Sequence, residues 1–413
     1  MRRVVVTGFG AVTPLGNDVK ITWDRLLKGE SGIDTIQSFD TSRHTVKIAG
    51  EVKNFQPETK IDPKVIKRID RCVQLCMWAT HEAVEDAKID FNKCDKTQIG
   101  VIIGSGIGGL HTWEREHTKF LNQGPARVSP FLIPMMIPDM TSGYVAIYWG
   151  LKGPNYTTIS ACASGAHAIG NAFRAIKYGD ADVVVTGGSE APVTPFAVAG
   201  FSNMRALSRR NDEPQKASCP FDKARDGFVI AEGAATLILE ELEFARKRGA
   251  PIYGELVGYG ATGDGYHITA PAPEGEGARR SMDCAIKEAG CTCDAIDYIN
   301  AHGTSTDLND KFEAVAIKNL FGDHAKKLVI NSTKSMIGHT LGAAGAIEAI
   351  VTLLSIRDEI VHPTINLTDL DPECIGLDFV TDGARKVKIN HAISNSLGFG
   401  GHNATLCFKR FQG

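Results

Sequence analysis

Twice in this chain a β-rich apolar run ends in a tight turn and passes straight into a helix start made of glycine and alanine. The first copy is Thr157-Thr158-Ile159-Ser160-Ala161-Cys162-Ala163-Ser164-Gly165-Ala166. The second runs Leu328-Val329-Ile330-Asn331-Ser332-Thr333, continues from Lys334 to His339, and ends in Gly342-Ala343-Ala344-Gly345-Ala346. A further strand-then-glycine segment follows each, over 183–188 and 393–398. A recurring unit of this kind predicts two related halves, 1–250 and 251–413, each with a sheet. Small residues allow close helix approach, so the two glycine-rich helices are expected between the sheets. The segment 342–356 is apolar almost all round, as a helix covered on both sides should be. Glu348 and its short length argue against a membrane span.

Around this repeat, apolar runs alternate with helical patterns, which indicates α/β layering. Strands are expected over 4–7, 100–103, 157–160, 182–186, 256–258, 298–300, 328–331 and 391–394. Helices are expected over 66–87, 163–178, 278–289, 309–320 and 342–356. The net charge of -3 gives no global attraction to nucleic acid or to an anionic membrane, so an acidic partner must meet a local basic patch. The ten cysteines are irregularly spaced, without a CxxC pair, and Cys291 and Cys293 read as an incidental loop feature. The chain enters a strand at once (Arg2-Arg3-Val4-Val5-Val6), which leaves no room for a signal peptide. A reduced, cytoplasmic protein is the expectation.

Cys162 follows a strand and precedes a helix whose Ala166, Ile169, Phe173 and Ile176 recur at helical spacing. A thiol there is either a small packing residue or a nucleophile. In the second case the helix N-terminus is expected to favour the thiolate and to donate N–H groups to an oxyanion. His302 (Asn300-Ala301-His302-Gly303-Thr304-Ser305-Thr306) and His339 (Lys334-Ser335-Met336-Ile337-Gly338-His339) lie in loops at strand ends, where α/β sheets place ligands. A metal on Cys162, His302 and His339 is disfavoured, since none lie at close ligand spacing. Gly104, Gly106 and Gly109 satisfy GxGxxG spacing, but no acidic strand end follows at the right distance for a dinucleotide. Asn395 to Asn403 carries Phe399 between glycines, either as a mobile aromatic presenting its backbone N–H or as a hairpin turn plugging the core.

In order and in combination, Ser160-Ala161-Cys162-Ala163-Ser164-Gly165, His302-Gly303-Thr304-Ser305-Thr306, Lys334 to His339 and Gly398-Phe399-Gly400-Gly401 resemble the β-ketoacyl-[acyl-carrier-protein] synthases over essentially the whole chain. Ile107 and Tyr266-His267-Ile268-Thr269-Ala270-Pro271 favour the type II, elongating branch of bacterial fatty-acid synthesis. The resemblance implies a thiolase-like fold, two duplicated halves in a five-layered αβαβα sandwich. It implies that Cys162 accepts a fatty acyl group, and that His302 and His339 assist decarboxylation of a malonyl thioester and stabilise its enolate. The N–H groups of Cys162 and Phe399 would form an oxyanion hole, with Phe399 also a gate. Lys334 would position the site, with Glu313 as its ionic partner. Thr304 and Thr306 would hydrogen-bond the phosphopantetheine arm, Gly398 would be a further substrate-binding residue, and Ile107 and Phe201 would shape the acyl pocket. Lys64, Lys67, Arg68 and Arg71, with Arg127 and Arg205, would dock an acidic acyl carrier protein. Asn300, Glu348, Ser394 and Asn395 match a structural monovalent-cation site, no cofactor is required, and a homodimer is implied. A thiolase would need a second cysteine where Phe399 stands, an initiating type III synthase would place Asn at His339, and a chain-length partner would lack Cys162.

Overall fold

The computed structural model describes all 413 residues. Eleven strands form one ladder: β1 Val4–Val12, β2 Ile99–Gly104, β3 Asn155–Thr158, β4 Val183–Glu190, β5 Gly233–Glu241, β6 Gly254–Gly263, β7 Tyr298–Asn300, β8 Val329–Asn331, β9 Asp378–Phe379, β10 His391–Gly398 and β11 His402–Lys409. Their order is β9-β8-β7-β10-β11-β6-β1-β5-β4-β2-β3. Read outward from the centre, β1-β5-β4-β2-β3 and β6-β11-β10-β7-β8 have the same order. They also have the same directions, antiparallel for the two inner pairings and parallel for the two outer ones. The repeat seen in the sequence is therefore a repeat of topology.

The two sheets are not separate ladders, as the sequence led us to expect. β1 and β6 pair antiparallel at Val4↔Leu256, Val5↔Glu255 and Val6↔Gly254. Each would otherwise be an unpaired edge, and a short bridge satisfies those backbone groups. Helix α1 Arg71–Ala87 covers β1 and β5 from outside, while α4 Glu276–Glu288 covers β6 and β11. Between the sheets lie α3 Ser164–Tyr178 and α6 Ala344–Asp358, which touch strands of both halves and each other. Every residue of α6 from Ala344 to Ile356 is buried, Glu348 included. These two helices can cross so closely because of glycine: a Cβ on Gly165 would stand 2.7 Å from the carbonyl oxygen of Gly342. This is the αβαβα layering.

Of the boundaries that moved, two did so for reasons visible locally. The helix expected over 66–87 begins at Arg71, because the Asp70 carboxylate caps it at Cys72 N and also accepts from the Thr112 backbone and hydroxyl. Pro63–Ile66 is a separate short turn. The strand expected over 157–160 ends at Thr158, since the chain must turn sharply into Ala161 at φ +50°. No helix is long and apolar enough to cross a membrane.

Candidate active site

The turn before α3 is strained in the way a nucleophile elbow is. Ala161 sits in the left-handed region, and Cys162 follows on a single 3-10 turn, 7% exposed. The second half repeats the geometry, with Leu341 at φ +46° and Gly342 in the place of the cysteine. Only the first copy of this turn carries a thiol. Opposite it, β10 ends in Gly398, where a Cβ would stand 2.7 Å from Ser160 O and 3.2 Å from Cys162 N. Phe399-Gly400-Gly401 then turns the chain into β11, with both glycines at positive φ. The segment is a hairpin turn, but Phe399 does not plug the core: it is half-buried and lines the site cavity. The backbone N–H groups of Phe399 and of Cys162 itself are beside this turn and favour the thiolate.

Burial nevertheless pushes the Cys162 thiol up to about 11, against Lys334 and those two N–H groups, with Glu190 adding to the rise. The helix N-terminus was expected to favour the thiolate. Desolvation outweighs it, so the resting group is a thiol. Its alkylation by iodoacetamide should therefore keep accelerating as pH rises through 9 towards 11, followed by peptide mass spectrometry. A plateau reached below pH 8 would mean a thiolate at rest.

His302 lies just past β7, and one cation fixes it. Lys334 Nζ spends its three donors on His302 Nδ1 (3.2 Å), His302 O (2.7 Å) and the Glu348 carboxylate. With Nδ1 accepting, the imidazole proton sits on Nε2. His339 packs edge-on to it, ring centroids 5.3 Å apart at 85°, and its own backbone N–H donates to Val229 O at 2.7 Å. Neither ring nitrogen of the buried His339 has a protein partner. Burial, helped by Lys334, holds both histidines well below the usual imidazole range, and His339 lowers His302 further. Both rings are neutral donors at pH 7.

The loop carrying His302 is pinned from the first turns of α5 Asp307–Phe321. Glu313 accepts from His302 N (2.8 Å) and Gly303 N (2.9 Å), and Asp310 accepts from Thr304 N (2.9 Å) and Ser305 N (3.0 Å). Glu313 is therefore not the partner of Lys334; Glu348 is, because the backbone N–H groups already occupy the Glu313 carboxylate. Asp310 was not singled out in the sequence, although its i,i+3 spacing from Glu313 puts both carboxylates on one helix face beside the loop. Glu190 was missed as well. The loop after β2, whose glycines have dinucleotide spacing, folds its N–H groups around this carboxylate of the chain itself.

A single cavity of about 420 Å³ joins these parts. Cys162, His302, His339 and Phe399 line it together with Thr304, Thr306, Ile107, Phe201, Gly398 and Arg205. The Phe201 ring meets Phe228 edge-on at 5.5 Å, and Phe228 meets His339 at 5.3 Å, so the apolar wall reaches the imidazole.

A thiol on one repeat facing two neutral imidazoles on the other matches a known pattern. The family model for the beta-ketoacyl synthase N-terminal domain matches residues 1–245, and that for its C-terminal domain matches residues 253–368. The chain belongs to the beta-ketoacyl synthase family. It is 55% identical over 411 residues to 3-oxoacyl-[acyl-carrier-protein] synthase 2 of Staphylococcus aureus (strain COL), covering 100% of this chain and 99% of the relative. It is 51% identical to the protein of the same name in Synechocystis sp. (strain ATCC 27184 / PCC 6803 / Kazusa), with the same coverage. Among solved structures, a beta-ketoacyl synthase from Burkholderia phymatum STM815 superposes with a TM-score of 0.93 at 36% identity, with full coverage of both chains. A ketosynthase in complex with its type II PKS acyl-carrier protein, bound to the hexaketide, superposes at 0.92 and 34%, again with full coverage.

In this beta-ketoacyl synthase Lys64, Lys67, Arg68, Arg127 and Arg205 are all exposed. Arg205 lines the cavity, and the Arg68 guanidinium lies 5.0 Å from the Phe131 ring centroid. Arg71 is not free for a partner, since it makes two 2.7 Å bonds to Glu232. Of the residues assigned to a cation, Asn300 Oδ1 and Glu348 Oε2 are buried oxygens without a partner. Ser394 is buried, while the Asn395 side chain is committed to Glu313, Thr405 and Met282.

Proposed function

We propose that this chain catalyses the decarboxylative condensation of malonyl-acyl carrier protein with a fatty acyl group held on Cys162, lengthening the chain by two carbons. One observation carries the reading: the Cys162 thiol shares one cavity with Phe399 and with two imidazoles kept neutral by burial and Lys334. In the first half-reaction Cys162 Sγ attacks the acyl thioester carbonyl. The N–H groups of Cys162 and Phe399 take the oxyanion, and the thiol proton leaves with the departing phosphopantetheine sulfur. Malonyl thioester then enters past Thr304 and Thr306. Loss of CO2 leaves an enolate whose oxygen receives hydrogen bonds from His302 Nε2–H and from the unpartnered ring of His339. The enolate carbon attacks the acyl carbonyl, and the collapsing tetrahedral intermediate expels Cys162 Sγ as a thiolate, which takes one proton from water to return to the resting thiol. Neutral imidazoles suit this work because their N–H groups are fixed in advance and need no reorganisation.

Acyl carrier protein delivers both substrates, and the exposed Lys64, Lys67, Arg68, Arg127 and Arg205 are the cations that would meet its acidic surface. The enzyme works in the cytoplasm as a homodimer. In support of the dimer, β3 is an unpaired sheet edge, and exposed apolar side chains lie on it (Tyr156), just past it (Ile159) and on the adjacent helix α2 Met140–Trp149 (Ile147). No cofactor enters the reaction. A structural monovalent cation near Asn300, Glu348, Ser394 and Asn395 would satisfy the two orphaned oxygens, with Asn395 contributing through its backbone because its side chain is occupied. The test is an elongation assay with malonyl-acyl carrier protein across acyl primers of increasing length. A 3-oxoacyl product with one CO2 released per condensation is expected, whereas free acid or CO2 without chain extension contradicts the reading.

A further inference from the structure

Glu190 closes β4 as a fully buried carboxylate with no cation beside it. One oxygen accepts from Ser105 Oγ (3.0 Å), Ile107 N (3.0 Å) and Gly108 N (3.2 Å). The other accepts from Gly106 N (2.6 Å) and Gly342 N (3.0 Å). Five donors from two distant segments converge on it, a nest that compensates for leaving water. Those segments are two walls of the site. Gly106 and Ile107 line the cavity from the loop after β2, and Leu341, just before Gly342, lines it from the turn that mirrors Cys162. They meet so closely that a Cβ on Gly342 would stand 2.5 Å from both Glu190 Oε2 and Gly106 N. An amide could not replace this carboxylate, since it offers one acceptor oxygen and turns its NH2 towards facing N–H donors.

We infer that Glu190 is a positioning residue for acyl-chain selectivity, holding Ile107 and Leu341 as a fixed wall of the acyl cavity. The inference rests on the reading of Cys162 as the acyl acceptor. Short acyl groups do not need that wall, whereas long ones must run along it. Loosening the wall therefore costs long chains more.

The experiment measures kcat/KM for acylation of Cys162 by one long and one short saturated acyl-carrier-protein primer, in the full-length enzyme. Glu190→Gln should lower the long-to-short ratio roughly tenfold, a coupling of the size seen between contacting residues. In an Ile107→Ala background, where the wall is already cut back, the same change should move the ratio less than about twofold. Ser105→Ala, which removes one donor only, should shift it in the same direction by roughly two- to threefold, and it carries the test if the glutamine variant fails to fold. An equal fall for both primers, an undiminished effect in the Ile107→Ala background, or no shift in Ser105→Ala would overturn the proposal. Absence of acyl-Cys162 in the unmodified enzyme would instead overturn the reading beneath it.

Discussion

Cys162→Ala should abolish condensation, with a loss of at least about 10⁴-fold in kcat, because no other group in the cavity can hold the acyl chain as a thioester. The remaining cysteines are not substitutes. None of the other nine lines the cavity, and Cys72, Cys76, Cys219, Cys374 and Cys407 are buried away from it. Cys162→Gln separates the half-reactions. Its amide oxygen would lie under the Cys162 and Phe399 N–H groups where the thioester carbonyl belongs, so the site would resemble the acylated state. Malonyl-acyl carrier protein should then still lose CO2 against His302 and His339, giving acetyl-acyl carrier protein without extension. Labelled CO2 release and product chromatography read the two outcomes separately. Condensation persisting in the alanine variant would sink the mechanism.

The second large effect concerns Lys334. Its ammonium is 1% exposed, pairs with a Glu348 that is fully buried, and orients His302 through two further bonds. Lys334→Met breaks a buried pair and leaves a carboxyl without its cation, at a cost of about 3–5 kcal/mol of stability. It should also lower kcat by roughly 10²–10³, as loss of a preorganised donor does, since the His302 tautomer is no longer imposed. The stability deficit has a definite pH dependence. Burial already holds Glu348 up to about 7 despite Lys334, above its unfolded value of 4.5. Removing the cation raises it further. A raised carboxyl contributes stability that is complete below the unfolded value and lost as pH rises through the folded one, so the variant should be closest to the parent near pH 5 and fall furthest behind near pH 8. Denaturant unfolding at the two pH values measures this. Adding Glu348→Gln should recover stability but not activity, because it removes the unpaired charge without restoring the bond to His302.

Much of the site was legible because its reactive groups stand at strand ends. Cys162 and His302 come just after short strands, His339 follows the helical turn Lys334–Ile337 beyond a third strand, and the loop glycines beside them mark where backbone turns towards the crevice. The duplication was legible too, since the same small-residue helix start is needed wherever a helix is squeezed between sheets. What stayed hidden was decided by burial and by distant partners. β5, Gly-Ala-Ala-Thr-Leu-Ile-Leu-Glu-Glu, is buried on both faces and lacks the alternation that would have marked it as a strand. β11 was hidden likewise. Glu190 and Asp310 bind backbone N–H groups, which leave no trace in side-chain identity. The choice between Glu313 and Glu348 for Lys334 depended on which carboxylate was already occupied. The upward push of burial on the Cys162 thiol stayed hidden for the same reason, because a helix N-terminus is visible in sequence and desolvation is not.

The most direct test of the acyl-holding role of Cys162 is an intact-mass measurement after mixing the enzyme with a fatty acyl-acyl carrier protein alone, followed by peptide mapping. The account predicts one acyl adduct per chain, carried on Cys162, which disappears when malonyl-acyl carrier protein is added and extended product forms. An adduct on another residue, or efficient condensation with no acylated enzyme detectable by rapid quench, would contradict it.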